Sequence, residues 1–168
     1  PIDLARLRAV VLTHAHIDHS GYLPRLVAKG YRGPIFATPG TCDLLGVMLP
    51  DAAHLQEEEA RYANQKGYSK HAPALPLYTV EDAELALRLL RPTKNSEAVE
   101  VAKGVFADFG RVGHILGAGS VRLCFEVNGA KKYLLDSGDL GRYQRPILKD
   151  PEPAKPADWL LIESTYGN

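Results

Sequence analysis

Leu7-Arg8-Ala9-Val10-Val11-Leu12-Thr13 is an apolar, β-branched run of the buried-strand type, and it stops at a polar cluster from His14 to Ser20. Tyr22, Leu23, Leu26 and Val27 then recur at helical spacing as far as Gly30. After Gly33-Pro34, Ile35-Phe36-Ala37 predicts a second short strand. Strand, loop, helix, strand is the rhythm of an α/β layered fold. Residues 39 to 91 read as mainly helical. Leu44, Leu45, Val47, Met48 and Leu49 form one apolar cluster closed by Pro50. Asp51 is placed to cap a second, solvated helix carrying Leu55, Tyr62 and the charges Glu57, Glu58, Glu59 and Arg61. Lys70 to Pro76 reads as a loop. Thr79 and Asp82 have the spacing of a capping box ahead of Leu85, Leu87, Leu89 and Leu90.

From Val99 the texture changes to strands. Val99 to Val101, Val105 to Ala107 and the alternating run Val121 to Val127 lead to Asn128-Gly129, a hairpin-turn signal, with Tyr133-Leu134-Leu135 as the returning strand. Pro151, Pro153 and Pro156 predict a stiff surface connection to Trp159-Leu160-Leu161-Ile162, read as a final buried strand. The chain has 168 residues, 45% of them hydrophobic and 24% charged, which fits a globular domain and excludes a disordered or collagen-like chain. Twenty basic and twenty acidic side chains cancel, so total charge points to no class of partner. Cys42 and Cys124 are too few for a disulfide framework and read as two buried thiols in a reducing, cytoplasmic setting. No apolar run approaches the length of a membrane span.

The chemistry concentrates in His14-Ala15-His16-Ile17-Asp18-His19, directly after the first strand. Three imidazoles and a carboxylate within six residues supply the ligand mixture suited to zinc and similar ions. Alternate side chains point the same way in an extended or turning backbone. His14 and His16 are therefore expected to converge on one ion, and Asp18 and His19 on a second. Four ligands divided between two ions leave each site short. His114, set in a glycine-rich stretch from Gly110 to Gly119, is the expected distant histidine, whereas His54 and His71 sit in surface-type segments. Leu134-Leu135-Asp136-Ser137-Gly138-Asp139 delivers two acids to a strand end. Asp139 is the expected bridging ligand and Asp136 the loop-holding residue.

The His14 to His19 segment resembles the HxHxDH signature of the metallo-β-lactamase superfamily, and His114 and Asp139 fall in the order of its next two metal motifs. Thr13 to Gly21, Gly113 to Ser120, Ser137-Gly138-Asp139-Leu140-Gly141-Arg142 and Ile162-Glu163-Ser164-Thr165-Tyr166-Gly167 resemble its β-CASP branch, which includes RNA-processing exonucleases and mRNA 3′-end cleavage nucleases. The resemblance implies an α/β fold that is a portion of an αββα sandwich. It implies two zinc ions, with His14, His16 and His114 on one, Asp18 and His19 on the other, and Asp139 between them. It also gives Asp18 a part in orienting the attacking water, and Glu163 a part in organising the proton donor. The activity implied is hydrolysis of RNA phosphodiesters, with single-stranded DNA as an alternative substrate.

Residues 1 to 168 are expected to form a partial metallo-β-lactamase-like domain. Relative to the family pattern it lacks the first strands, the β-CASP module and the C-terminal half, which leaves the second zinc site incomplete. The opening Pro1 and the closing Tyr166-Gly167-Asn168 agree with an internal portion of a longer chain. No membrane partner is expected, and a homodimer is compatible with the sequence. Lys131, Lys132, Arg142, Arg145 and Lys149 form a basic run expected around the site. Two other readings share these residues: a dimetal hydrolase of a small thioester, lactam or phosphodiester, and an inactive scaffold or truncated form.

Overall fold

The computed structural model describes residues 3–165 and Gly167. Its elements are β1 (Val10–Val11), α1 (Ile17–Ser20), α2 (Leu23–Ala28), β2 (Ile35–Ala37), α3 (Pro39–Lys66), α4 (Val80–Arg88), β3 (Leu90–Pro92), β4 (Val99–Ala102), β5 (Val105–Arg111), β6 (Gly119–Val127), β7 (Ala130–Asp136) and β8 (Trp159–Leu161). They form two sheets. One is parallel, in the order β1-β2-β3. The other runs β4-β5-β6-β7-β8, antiparallel except for the parallel pairing of β7 with β8.

Alternation along β2 organises the layers. Ile35 and Ala37 face the helices and join a core with Leu23, Val27, Leu45, Leu49, Ala53, Ala83 and Ala86. Phe36 points the other way and packs with Val101, Ala107, Phe109 and Val121 of the second sheet. The order is therefore helices, sheet, sheet, the portion of an αββα sandwich that the resemblance implied. Among the described residues no helix covers the outer face of the second sheet.

The helix α3 departs from expectation. It runs unbroken for 28 residues through Pro50, which was expected to end it. Proline there removes one intrahelical bond, but Leu45, Leu49 and Ala53 on either side are fully buried along one stripe, and their packing carries the helix across. Truncating either leucine to alanine costs about 2–5 kcal/mol. Asp51 accordingly caps nothing. The capping box of α4 is present, with Thr79 Oγ1 accepting the Asp82 N–H and Asp82 accepting the Thr79 N–H. The α4 helix stops at Arg88, and Leu90 starts β3 in parallel register with Ile35 instead of extending a helix.

The second sheet follows its turn chemistry. Asn128 and Gly129 adopt φ of 52° and 78°, the left-handed pair of a tight hairpin between β6 and β7. The proline-rich segment is held to the sheet by polar contacts: Arg111 pairs with Glu152 at 2.6 Å, and Asp108 receives Arg122 and Lys155. Two expectations are corrected here. Trp159, Leu160, Leu161 and Ile162 are about half exposed, because β8 is an edge strand paired only to β7, with its faces uncovered among the described residues. Cys42 and Cys124 are half-buried instead of buried, and both are free.

Candidate metal centre

The polar cluster after β1 is a turn leading into a single helical turn. His16 occupies the N-cap position of α1, yet its side chain caps nothing and points into the cluster instead. Ser20, fully buried, closes the turn by sharing its hydroxyl proton between the Ala15 and His16 carbonyls at 2.8 and 3.0 Å. That local fold brings His14 Nε2 to 3.1 Å from His16 Nδ1. His14 is fully buried, and its Nδ1 lies 3.1 Å from Thr13 Oγ1. Donation of the Nδ1 proton to Thr13 leaves Nε2 as a lone pair facing the cluster. Burial, followed by the nearby His19, pushes the His14 imidazole down to about 4 against the opposing pull of Asp139, so the ring is neutral at neutral pH.

His114 arrives from the loop between β5 and β6, with its Nε2 3.1 Å from His16 Nδ1. Asp139 arrives from the loop after β7. Its Oδ2 lies 3.6 Å from His14 Nε2 and 3.4 Å from His114 Nε2, while its Oδ1 lies 3.3 Å from His19 Nε2. The two loops touch through backbone. A Cβ on Gly141 would sit 1.9 Å from the Gly113 carbonyl oxygen and 2.4 Å from the His114 nitrogen, so only glycine permits this approach. The Gly141 N–H also donates to the Val112 carbonyl at 2.9 Å.

His14, His16, His114 and Asp139 thus present ligand atoms all within 4.8 Å of one another. The donor set and its spacing fit a divalent ion. Tetrahedral coordination with metal–nitrogen bonds of about 2.0–2.1 Å sets nitrogens roughly 3.3 Å apart, close to the spacing of the His16 nitrogen from its two neighbours. Without an ion, three converging imidazole nitrogens compete for too few protons; a cation among them turns each lone pair into a ligand. Asp18 lies to one side, 3.5 Å from His19, with its side chain 74% exposed. It adjoins the cluster through His19 and, among the described residues, forms no hydrogen bond or ion pair with the other three histidines.

Glu163 sits behind the Asp139 loop. Its carboxylate accepts the Leu140 N–H and the Thr165 hydroxyl, and its own N–H donates to Ser137 Oγ at 3.1 Å. The Thr165 hydroxyl, then the Leu140 N–H, hold this carboxyl below the usual glutamate range. Asp136 accepts the Gly138 N–H at 2.9 Å, the loop-holding role expected of it. Two hollows flank Asp139. One, of about 380 Å³, is lined by His114, Asp139, Arg142, Arg145 and Glu163; the other, of about 400 Å³, by Thr13, His19, Asp139, Ile162 and Glu163.

The basic run divides. Arg142 and Arg145 stand on the wall of the first hollow. Lys131 and Lys132 lie at the hairpin end of β7, away from Asp139, where Lys132 is paired with Asp158 at 2.6 Å. Lys149 lines a neighbouring apolar hollow. His54 and His71 are exposed, far in sequence from every ligand-bearing loop. Thr13 and Ser20 carry supporting roles that spacing alone did not assign; their position at the two ends of the histidine segment was the available signal. No helix among the described residues is long and apolar enough to cross a membrane.

The chain is similar over 166 residues to ribonuclease TTHA0252 of Thermus thermophilus, at 37% identity, covering 99% of the chain and 33% of that protein. It is 30% identical over 174 residues to transcription termination factor FttA of Cenarchaeum symbiosum, covering 99% of the chain and 24% of that factor. It therefore spans a third or less of the length of these relatives. The Rm3 metallo-beta-lactamase shares the fold, with a TM-score of 0.50 at 16% identity over 88% of the chain and 47% of that structure. The family model described as beta-lactamase superfamily domain matches residues 1–166, and the chain belongs to that family.

Proposed function

We propose that the chain carries the ligand-bearing part of a metal-dependent hydrolase of the β-CASP type, a dizinc nuclease that cleaves RNA phosphodiesters. The observation that carries this reading is the division of Asp139: one carboxylate oxygen faces His14 and His114, the other faces His19. A carboxylate so placed would be shared by two neighbouring cations. His14, His16 and His114 would hold the first ion, Asp18 and His19 the second, and Asp139 both. Ions held there supply Lewis acidity toward a phosphoryl oxygen and lower the pKa of water toward neutrality.

The chain's own residues do the rest. Asp18, exposed at the open side, would besides accept a hydrogen bond from the attacking water and orient it. Glu163 is a positioning residue: both its oxygens are committed to Leu140 and Thr165, so it fixes the loop that presents Asp139. Arg142 and Arg145 line the hollow that opens onto His114 and Asp139, and neither makes a side-chain hydrogen bond or ion pair among the described residues. Their guanidinium groups are available to phosphates beside the scissile one. The names of the two relatives, a ribonuclease and a transcription termination factor, support RNA as the polyanion. Residues 1–168 are, in this reading, a partial catalytic domain within a longer cytoplasmic enzyme.

The test is cleavage of an end-labelled RNA by zinc-loaded protein, with chelator and zinc add-back as controls. His16→Ala and Asp139→Ala are each expected to abolish cleavage. Undiminished cleavage by either variant, with contaminating nuclease excluded, overturns the assignment. Cleavage of a lactam or thioester but not RNA moves it to a small-molecule hydrolase.

A further inference from the structure

We propose that Thr38 and Thr41, at the start of α3, position His114 by jointly holding the Gly117 carbonyl. The proposal rests on the metal reading above and adds residues from an element that contributes no ligand. Both threonines are buried, and both hydroxyls donate to the Gly117 oxygen, Thr41 at 3.0 Å. A carbonyl oxygen has two lone pairs, and here each receives one donor. Thr38 Oγ1 also accepts the Thr41 N–H as the α3 N-cap, so the clamp is built into the helix start.

The fit is close on both sides. Gly117 has φ of 77°, and a Cβ there would lie 2.1 Å from the Thr41 nitrogen; a Cβ on Gly40 would meet the Gly117 Cα at 3.0 Å. The loop backbone therefore lies directly on the first turn of α3. One turn separates Gly117 from His114, closed by the Ala118 N–H donating to the Ile115 carbonyl at 3.0 Å, and the next residue but one, Gly119, donates to the Thr13 carbonyl at 2.9 Å.

His114 needs such a hold more than its neighbour does. His14 has Thr13 on its second ring nitrogen, whereas His114 Nδ1 has no hydrogen-bond partner among the described residues. With nothing fixing the ring from behind, its placement depends on the backbone that carries it. The clamp ties that backbone to the longest helix in the structure, while Gly141 closes on it from the Asp139 loop.

The experiment is zinc binding by the metal-free full chain, read by competition with a chromogenic chelator, beside the melting temperature of the metal-free form. Thr41→Val removes one donor and keeps the shape and the N-cap. It is expected to weaken the first zinc equivalent by roughly 10–100-fold, the range typical of lost outer-shell partners. Thr41→Ser is expected to bind within about threefold of wild type. Thr79→Ala removes the cap of α4, remote from the loop, and is expected to lower the melting temperature while leaving zinc affinity unchanged. His114→Ala separates the two layers of inference. If it fails to weaken zinc binding, the metal reading itself falls. If it weakens binding and Thr41→Val does not, or if Thr41→Val and Thr79→Ala lose affinity alike, the clamp is overturned.

Discussion

The two sides of Asp139 are built very differently. Toward His14, His16 and His114 the surroundings are tight: the His14 ring is fully buried with its Nδ1 against Thr13, and two loops of the second sheet meet through glycine backbone. Toward Asp18 and His19 the site is open, with the Asp18 side chain 74% exposed beside His19, and His19 in turn facing one Asp139 oxygen. The contrast teaches that a single six-residue motif can feed two positions of unequal rigidity. In the proposed two-ion arrangement the near position would draw ligands from three separate segments, so its geometry is over-determined. The far position would rest on one short helical turn and Asp139, beside a hollow of about 400 Å³.

Removing a shared or converging ligand is expected to have the largest effect. Asp139→Ala takes a donor from both positions and His114→Ala takes one from the near position. Either is expected to lower zinc affinity by at least about 100-fold, measured by chelator competition. Retention of affinity in Asp139→Ala would break the idea that one carboxylate serves both sides. A smaller loss, roughly tenfold, is expected from Thr13→Val, which leaves the His14 Nδ1 proton without an acceptor while keeping every ligand. Because this partner serves only the near side, zinc bound at the far position is expected to be unaffected.

The smallest effects belong to the hollow wall. Arg142→Ala and Arg145→Ala are expected to leave zinc binding intact and to weaken RNA binding uniformly across sequences. Each is expected to reduce the slope of log affinity against log salt by about one. An unchanged slope would separate the hollow from phosphate recognition and sharpen the comparison to metal chemistry alone.

The legibility of these regions in sequence follows chain separation. His14, His16, Asp18 and His19 are adjacent, so spacing alone brought them forward; the structure sets His14, His16 and His19 beside Asp139, while Asp18 lies to one side against His19. His114 is 98 residues from His16 and was found through its glycine-rich setting and the family pattern. Thr38 and Thr41 gave no sign, because a hydroxyl aimed at a carbonyl more than seventy residues away leaves no local pattern. In the fold, the hairpin at Asn128-Gly129 and the capping box at Thr79 were legible because their chemistry is local. Pro50 was misread because tertiary packing of Leu45, Leu49 and Ala53 outweighed a local helix breaker. Trp159 to Ile162 were misread because an apolar run shows what a strand needs to bury, and nothing of what covers it.

The most direct measurement of the unequal site is a zinc titration of the metal-free chain, comparing wild type with His19→Ala. One tight equivalent and a second at least about tenfold weaker are expected in the wild type, with His19→Ala losing the weaker and keeping the tighter within about threefold. Loss of the tight equivalent in His19→Ala, or two equivalents of equal affinity in the wild type, would contradict the division of labour across Asp139.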